Sequence, residues 1–390
     1  MTFYADLHIH IGRAACGAPV KITASPKLTL QGILAECLEH KGIQIAGVVD
    51  CASPPVIRDI HTLMALGQLT PLDGGGLRYR DAMTLFLGAE IELGGPTGGS
   101  AHFLAFTPSL EAMEELSHFL SGAITNISLS SQRASLAVEE VNDFVVNQLG
   151  GIFLPAHAFT PFKSVYGNCV QRLAELEVTF PALELGLSAD TDLADRLHEV
   201  AELRFLSNSD AHSLPKIARE YNVLQLIKPD FAHFRKALTG DPANRILGNY
   251  GLDPRLGKYH RTYCPRCEEV VELAPPIHYC NKCGNEQVVV GVLDRITAIA
   301  DEEKPLHPPH RPKYVHQVPL EFIPGVGKKT LARLLEAFGT EMQILHGTSY
   351  DELRVVVGTK VATDIVAARE GRLGMSAGGG GYYGRVGGKM

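Results

Sequence analysis

The stretch Asp6-Leu7-His8-Ile9-His10 constrains this chain more than any other. It lies in the apolar run Phe3–Ile9, which reads as a buried strand. Alternate residues of a strand share one face, so Asp6, His8 and His10 would point the same way. Burying three such groups without partners is costly. A metal ion held by the imidazoles would remove most of that cost, and so would a satisfied Asp–His pair at a sheet rim. The rest of the sequence has to decide.

The 390 residues suggest two or three domains. A content of 45% hydrophobic and 20% charged residues describes a soluble globular protein with material for a large core. No apolar run reaches the ~20 residues that span a bilayer, so no membrane partner is expected. The N-terminal residues enter a strand directly and do not resemble a signal peptide, which points to the cytoplasm. Eight cysteines are too few for a disulfide scaffold. A net charge of −7 excludes a protein that is basic all over, but leaves room for a local basic patch.

Strands are expected at Phe3–Ile9, Ile43–Asp50, Leu85–Leu93, Phe103–Phe106, Ile152–Ala156, Ala182–Leu187, Arg204–Asn208 and Val223–Ile227. Helices are expected at Thr29–Lys41, Leu110–Leu120, Arg133–Leu149, Cys169–Glu177, Asp190–Ala201 and Asp230–Leu238, with Thr29 and Asp190 as N-caps. Repeated strand–helix units imply an α/β fold. Polar residues collect at the C-terminal strand ends: His8, His10, Asp50, Glu90, His157, Asp210 and His212. In a barrel those ends converge on one mouth. His102, near the start of its strand, is the exception. The chain divides into a barrel (1–250), a four-cysteine domain (251–300), a Pro-rich basic linker (301–320), a helical domain (321–372) and a Gly-rich tail expected to be disordered (373–390).

Histidines mixed with carboxylates suit zinc or manganese. The candidate ligands are His8, His10, Asp50, Glu90, His102, His157, Asp210 and His212. His8, His10, Glu90, His157 and Asp210 are the candidate catalytic residues. Two or three ions about 3.5–4 Å apart activate water and clamp a phosphate. At these motifs (DLHIH, GVVD, LPAH and SDAH) the chain resembles the PHP phosphoesterase family over about 245 residues. The resemblance implies a distorted (β/α)7 barrel with two or three divalent ions (Zn²⁺, Mn²⁺ or Mg²⁺). It places His8, His10, Glu90 and Asp210 on one ion, and Glu90, His102 and His157 on a second. A third would lie near Asp50 and His212. The chain departs from the family there: Cys51 follows Asp50, and Cys16 stands where some members place a histidine.

Cys264-Pro-Arg-Cys267 and Cys280-Asn-Lys-Cys283 are two CxxC pairs. Four converging thiolates make a closed tetrahedral zinc site, and tandem pairs argue against a redox dithiol. Further on, Ile323-Pro324-Gly325-Val326-Gly327-Lys328-Lys329 precedes an apolar helix. Backbone N–H groups at such a helix start bind phosphate. A second copy follows at Val357-Gly358-Thr359-Lys360. Both resemble helix–hairpin–helix DNA-binding motifs; an αα-hairpin for packing alone is the other reading.

The order of barrel, zinc ribbon and hairpins resembles the endonuclease Q family, as do the stretches DLHIHIGR and HAFTPFKSVYG. The resemblance implies a metal-dependent endonuclease acting on double-stranded DNA. It would cut on the 5′ side of deaminated bases (uracil, hypoxanthine, xanthine) and abasic sites, leaving 3′-hydroxyl and 5′-phosphate ends. It would be nucleoid-associated. Gly325, Gly327, Lys328, Lys329, Gly358 and Lys360 are the expected backbone contacts, with Arg13, Lys163 and Tyr166 nearer the barrel mouth. A PHP phosphatase or exonuclease acting on DNA ends, and a binding protein whose barrel no longer catalyses, stay open.

Overall fold

A computed structural model describes residues 1–96 and 98–386. Eight-residue β1 (Thr2–Ile9) runs through the middle of the main sheet, its last five residues fully buried. It pairs in parallel with β2 (Ile45–Val48). The short hairpin strands β3 (Leu69–Pro71) and β4 (Leu77–Tyr79) lead into the long β5 (Met83–Gly94), which lies parallel to β2. β6 (Ser100–Thr107) returns antiparallel along β5, and β7 (Ile152–Pro155) antiparallel along β6. β8 (Ala182–Glu184) and β9 (Arg204–Leu206) form a separate parallel pair. β10 (Tyr221–Gln225) closes antiparallel on the other edge of β1, followed by β11 (Arg245–Gly251).

The fold is therefore mixed α/β, but its ladder is not a simple ring of parallel strands. Repeated strand–helix units were expected, and β5–β6 departs from them. The connection of residues 95–99 is far too short for a parallel crossover, which needs a dozen residues or more, so the strand must turn back. Gly95 and Gly99 lie in that turn, where an added Cβ would strike Cys169 or the Asn168 carbonyl.

Thr29 and Asp190 cap their helices as expected, accepting from the N–H groups of Gly32 and Leu193. The predicted Asp190–Ala201 helix is one α-turn, Thr191–Ala194, followed by a tight turn. Asp195 and Arg196, which would continue it, are engaged by later chain: Arg311 pairs with Asp195 at 2.8 Å and Arg196 donates to the Glu302 carbonyl.

That contact also corrects the reading of 301–320 as an extended spacer. Arg311 is almost wholly buried with its guanidinium 3.5 Å over the Phe205 ring, and the strand Lys313–His316 adds to the main sheet beside β11. The cysteine segment contributes the two-residue strands Tyr263–Cys264 and Glu269–Val270, and helix Val292–Ile299 follows. Helical stretches follow at Lys328–Phe338, Glu341–His346 and Tyr350–Arg369, the last broken at non-helical Gly358. They are fastened to the main-sheet domain by the buried pair Lys41–Glu341 at 2.8 Å and by His346, stacked on Tyr4 at 4.9 Å.

Residues 378–384, expected to be disordered, lie against 255–263. The N–H groups of Gly378, Gly381 and Gly384 donate to the carbonyls of Arg255, Lys258 and Leu256. A Cβ at Gly378 would meet the Gly257 carbonyl at 2.6 Å, and one at Gly379 would meet Val270 at 2.6 Å. The glycines there permit close backbone approach. Residues 387–390 of the expected tail lie outside the described residues.

Candidate metal centre

β1 presents His8 and His10 on one face, and both are fully buried. The Nδ1 of His8 lies 3.0 and 3.1 Å from the two Glu184 oxygens. The Nδ1 of His10 lies 3.1 and 3.2 Å from those of Asp50. An imidazole that donates Nδ1–H to a carboxylate carries its lone pair on Nε2. The two Nε2 atoms face each other at 3.2 Å, with Asp210 Oδ1 3.6 and 3.4 Å away. Two lone pairs and a carboxylate aimed at one point repel each other unless a proton or a metal ion lies among them. Against burial, the carboxylates around both imidazoles hold them above the usual range, which favours positive charge there. His8, His10 and Asp210 thus fit a metal ion.

Glu90, His102 and His157 form a second triad. Glu90 Oε1 is 2.9 Å from His102 Nδ1 and 3.4 Å from His157 Nε2. The other oxygen, Oε2, is 3.6 Å from His10 Nε2, so one carboxylate faces both triads. Burial opposes ionisation of Glu90, yet His102, Lys21 and His10 hold its carboxyl well below the usual range. Asp210 is likewise held well below, against burial, by His10 and His8. Both are therefore anionic at neutral pH. Burial keeps His102 low and brings His212 down to about 4, so both are neutral donors.

Two ligand residues hold left-handed backbone: His157 at φ +30° and Asp210 at φ +45°. Non-glycine residues in that region are strained, and such strain gathers at functional sites. His157 is held there by its own N–H, which donates to Glu184 at 2.8 Å.

The remaining expected residues fall elsewhere. Asp6 does not reach the centre; it accepts from the N–H groups of Ser209 and Ala218. Asp50 spends its oxygens on His10, the Ile11 N–H and Ser130, so it orients a ligand and joins neither triad. His212 lies against His10 with its ring tilted by 55° and ring centres 4.6 Å apart. Cys51 turns its thiol to the Val48 carbonyl, and burial pushes it up to about 12. Tyr166, expected at the DNA, is fully buried: it stacks on Phe159 and donates to Glu199 at 2.9 Å. Its ring completes the core, so it cannot meet a ligand. Glu184 was not singled out from the sequence. Its only signal was a lone acid in the apolar strand Pro181-Ala-Leu-Glu-Leu185.

Glu90, His102, His157 and Asp210 line a cavity of about 890 Å³, with His8 and His10 buried behind them. Lys21, Lys163, Lys216, Arg219 and Lys258 line it, with Phe162, Tyr259 and Tyr383.

No protein-family model matches the chain. YqxK, an uncharacterized protein of Bacillus subtilis, is 47% identical over 98% of each chain. The crystal structure of PfuEndoQ, a lesion-specific endonuclease from Pyrococcus furiosus, matches with a TM-score of 0.84 at 32% identity, covering 99% of this chain and 95% of that one.

The chain belongs to the endonuclease Q family.

An endonuclease Q complex with a 27-mer duplex substrate, an abasic lesion at its active site, also matches. Its TM-score is 0.84 at 32% identity, covering 99% of this chain and 96% of that one. By family the chain is an enzyme, a nuclease, and not a binding module alone.

In this endonuclease Q the four cysteines also converge. Cys264 and Cys283 sulfurs lie 3.7 Å apart and those of Cys267 and Cys280 3.8 Å apart. Tetrahedral zinc with sulfur at about 2.3 Å places its ligands ~3.8 Å apart, so the set fits zinc and not a disulfide. Against burial, N–H groups of Cys267 and Arg266 bring the Cys264 thiol down to about 6, ready as thiolate. Farther on, Gly325 holds φ +85° and Gly358 φ +80°, each just before a helical stretch. A Cβ on Gly325 would meet Val361 at 2.9 Å, so the two turns abut. Gly325, Gly327, Lys328, Lys329, Gly358 and Lys360 are all exposed. The first turn reaches the cavity rim, where Lys216 pairs with Glu321 at 2.6 Å and lies over Phe322. Arg13 is exposed; Lys163 pairs with Glu92 at the rim.

Proposed function

We propose that this endonuclease Q is a metal-dependent DNA repair enzyme. It hydrolyses the phosphodiester on the 5′ side of deaminated bases (uracil, hypoxanthine, xanthine) and abasic sites in duplex DNA. The observation that carries the reading is Glu90, whose two oxygens face two separate ligand triads beside a cation-lined cavity. The related endonuclease Q complex holds an abasic lesion at its active site.

His8, His10 and Asp210 would hold one ion and Glu90, His102 and His157 a second, with Glu90 between them. Ions held there would supply a water acidified toward neutrality and charge stabilisation for the phosphate. The protein's own groups do the rest. Glu184 and Asp50 fix the imidazoles. The hairpin turns and the exposed Lys328, Lys329 and Lys360 grip the backbone without reading bases. One nucleotide leaves the stack for the cavity, which is cheapest where pairing is already weak. A cavity of about 890 Å³ is ample for one nucleotide. A water oxygen bonds to phosphorus as the P–O3′ bond breaks. The 3′-oxygen leaves as a hydroxyl after gaining a proton, and one water is consumed.

Incubation with Mn²⁺ and an end-labelled duplex carrying one uracil, hypoxanthine or abasic site tests this. A single internal nick 5′ to the lesion is expected. Stepwise shortening would assign the protein to an exonuclease instead.

A further inference from the structure

Lys21 was not among the residues expected at the site, yet its ammonium sits inside the metal centre. The loop after β1 doubles back so that the N–H of Lys21 donates to the Ile11 carbonyl, directly behind His10. Its side chain is only 12% exposed. Nζ lies 2.8 Å from Glu90 Oε2, the oxygen that also faces His10, and donates to Ser131 Oγ. Ser131 donates to the same Glu90 oxygen, and neighbouring Ser130 to Asp50. Lys21 shares the cavity wall with Glu90, Asp210 and His212.

A third divalent ion does not fit here. Asp50 is fully engaged by His10, Ile11 and Ser130, and Cys51 faces the Val48 carbonyl. Cys16 is exposed and joins neither triad. Only His212 is left of the expected ligands, and Oε2 of Glu90, which faces His10, already accepts from an ammonium. An ammonium has three donors. Two of those on Lys21 are used, and the third has no acceptor among the described residues.

We propose that Lys21 is a fixed third cation of the centre: its ammonium stands in place of a third metal ion and donates to a non-bridging oxygen of the scissile phosphate. The proposal rests on the phosphodiesterase reading above. It also explains why the two serines are there. They hold Glu90 and Asp50 so that the ammonium keeps a position instead of sweeping through the cavity. A lysine suits this task because it is a compact charge on a flexible stem, whereas arginine would present a planar fork.

The test combines elemental analysis with single-turnover nicking of an abasic-site duplex by the full-length protein, K21A and K21R. The expected metal content is two ions per chain beyond the cysteine-bound zinc, in all three proteins. K21A is expected to nick roughly 100-fold more slowly, the cost of losing one preorganised donor to developing charge, with DNA affinity within a few fold. K21R should recover part of the rate. A third barrel ion in the unaltered protein, or an unchanged rate in K21A, would overturn the proposal. Should no protein nick any lesion duplex, the phosphodiesterase reading fails, and the metal count alone still decides whether Lys21 takes the place of an ion. Loss of the two ions in K21A would make Lys21 a structural element of ion binding and also overturn the proposal.

Discussion

The cysteine cluster draws its four sulfurs from residues 264–283, while the barrel triads collect ligands from positions 8, 10, 90, 102, 157 and 210. The first has almost no core of its own: Cys264, Val271, Ile277 and Cys280 are its buried residues. The second stands on the main apolar core, with carboxylates behind each β1 histidine. Local ligands on a thin core mean that metal makes the fold. Distant ligands on a thick core mean that the fold makes the metal site. The two clusters should therefore respond oppositely to losing a ligand.

Cys280→Ser should have the largest effect on structure. Structural zinc contributes on the order of 10 kcal/mol in small domains, so residues 262–290 should lose protection in hydrogen exchange while the barrel keeps its own. A ribbon that stays protected without zinc would erase the contrast. Asp210→Asn should do the reverse. Nicking should fall by roughly 10³-fold or more with the melting curve and DNA affinity little changed. Unfolding of the barrel in that variant would show that its site, too, depends on metal.

A pH titration probes the thick core directly. Burial raises the carboxyl of Glu220 to about 8, from an ordinary 4.5. Between those values the unfolded chain has released a proton that the folded chain keeps, so stability should fall as pH rises from about 4.5 to 8 and level off beyond. The effect should be no more than a few kcal/mol, and Glu220→Gln, which mimics the neutral acid, should flatten it in denaturant melts. Glu184→Gln is a smaller test. Groups that orient metal-bound histidines typically contribute 10- to 100-fold in metal affinity or activity, and a loss in that range is expected in Mn²⁺ titrations. Smallest is Lys329→Ala. It should weaken duplex binding a few fold for every sequence and lower the slope of log affinity against log salt by about 1.

The same contrast explains what could be read from the sequence. Paired cysteines are neighbours in the chain, so their spacing alone announces a tetrahedral set. His8, His10, His157 and Asp210 were legible because they lie at or just past strand ends, and strand ends converge; His102, near the start of β6, was the exception. Glu184 and Lys21 were not, because nothing local distinguishes an acid behind a histidine or a lysine on a loop; only the assembled packing gives them partners. Tyr166 misled for the complementary reason: it follows a ligand in sequence, but its ring turns into the core against Phe159. Glycine content in the tail suggested disorder, since composition does not show that Gly378 and Gly379 sit where any Cβ would collide. Antiparallel β6 was visible in the short glycine turn before it, a signal outweighed by the expectation of strand–helix repeats.

The place of β1 has a consequence for how the molecule comes into being. Its edge is closed by β10, and Asp6 ties down the N–H groups of Ser209 and Ala218, more than 200 residues along the chain. A nascent chain leaving the ribosome thus carries His8 and His10 for most of its synthesis with no partner strand on that side and no Asp210. Contacts of such long range make folding slow, and they exist only once the second half of the barrel has emerged. The histidine pair is the first part of the centre to be translated and among the last to be enclosed. The His8–His10–Asp210 set is therefore complete only after Asp210 has emerged, whereas the four cysteines lie within one short stretch of chain.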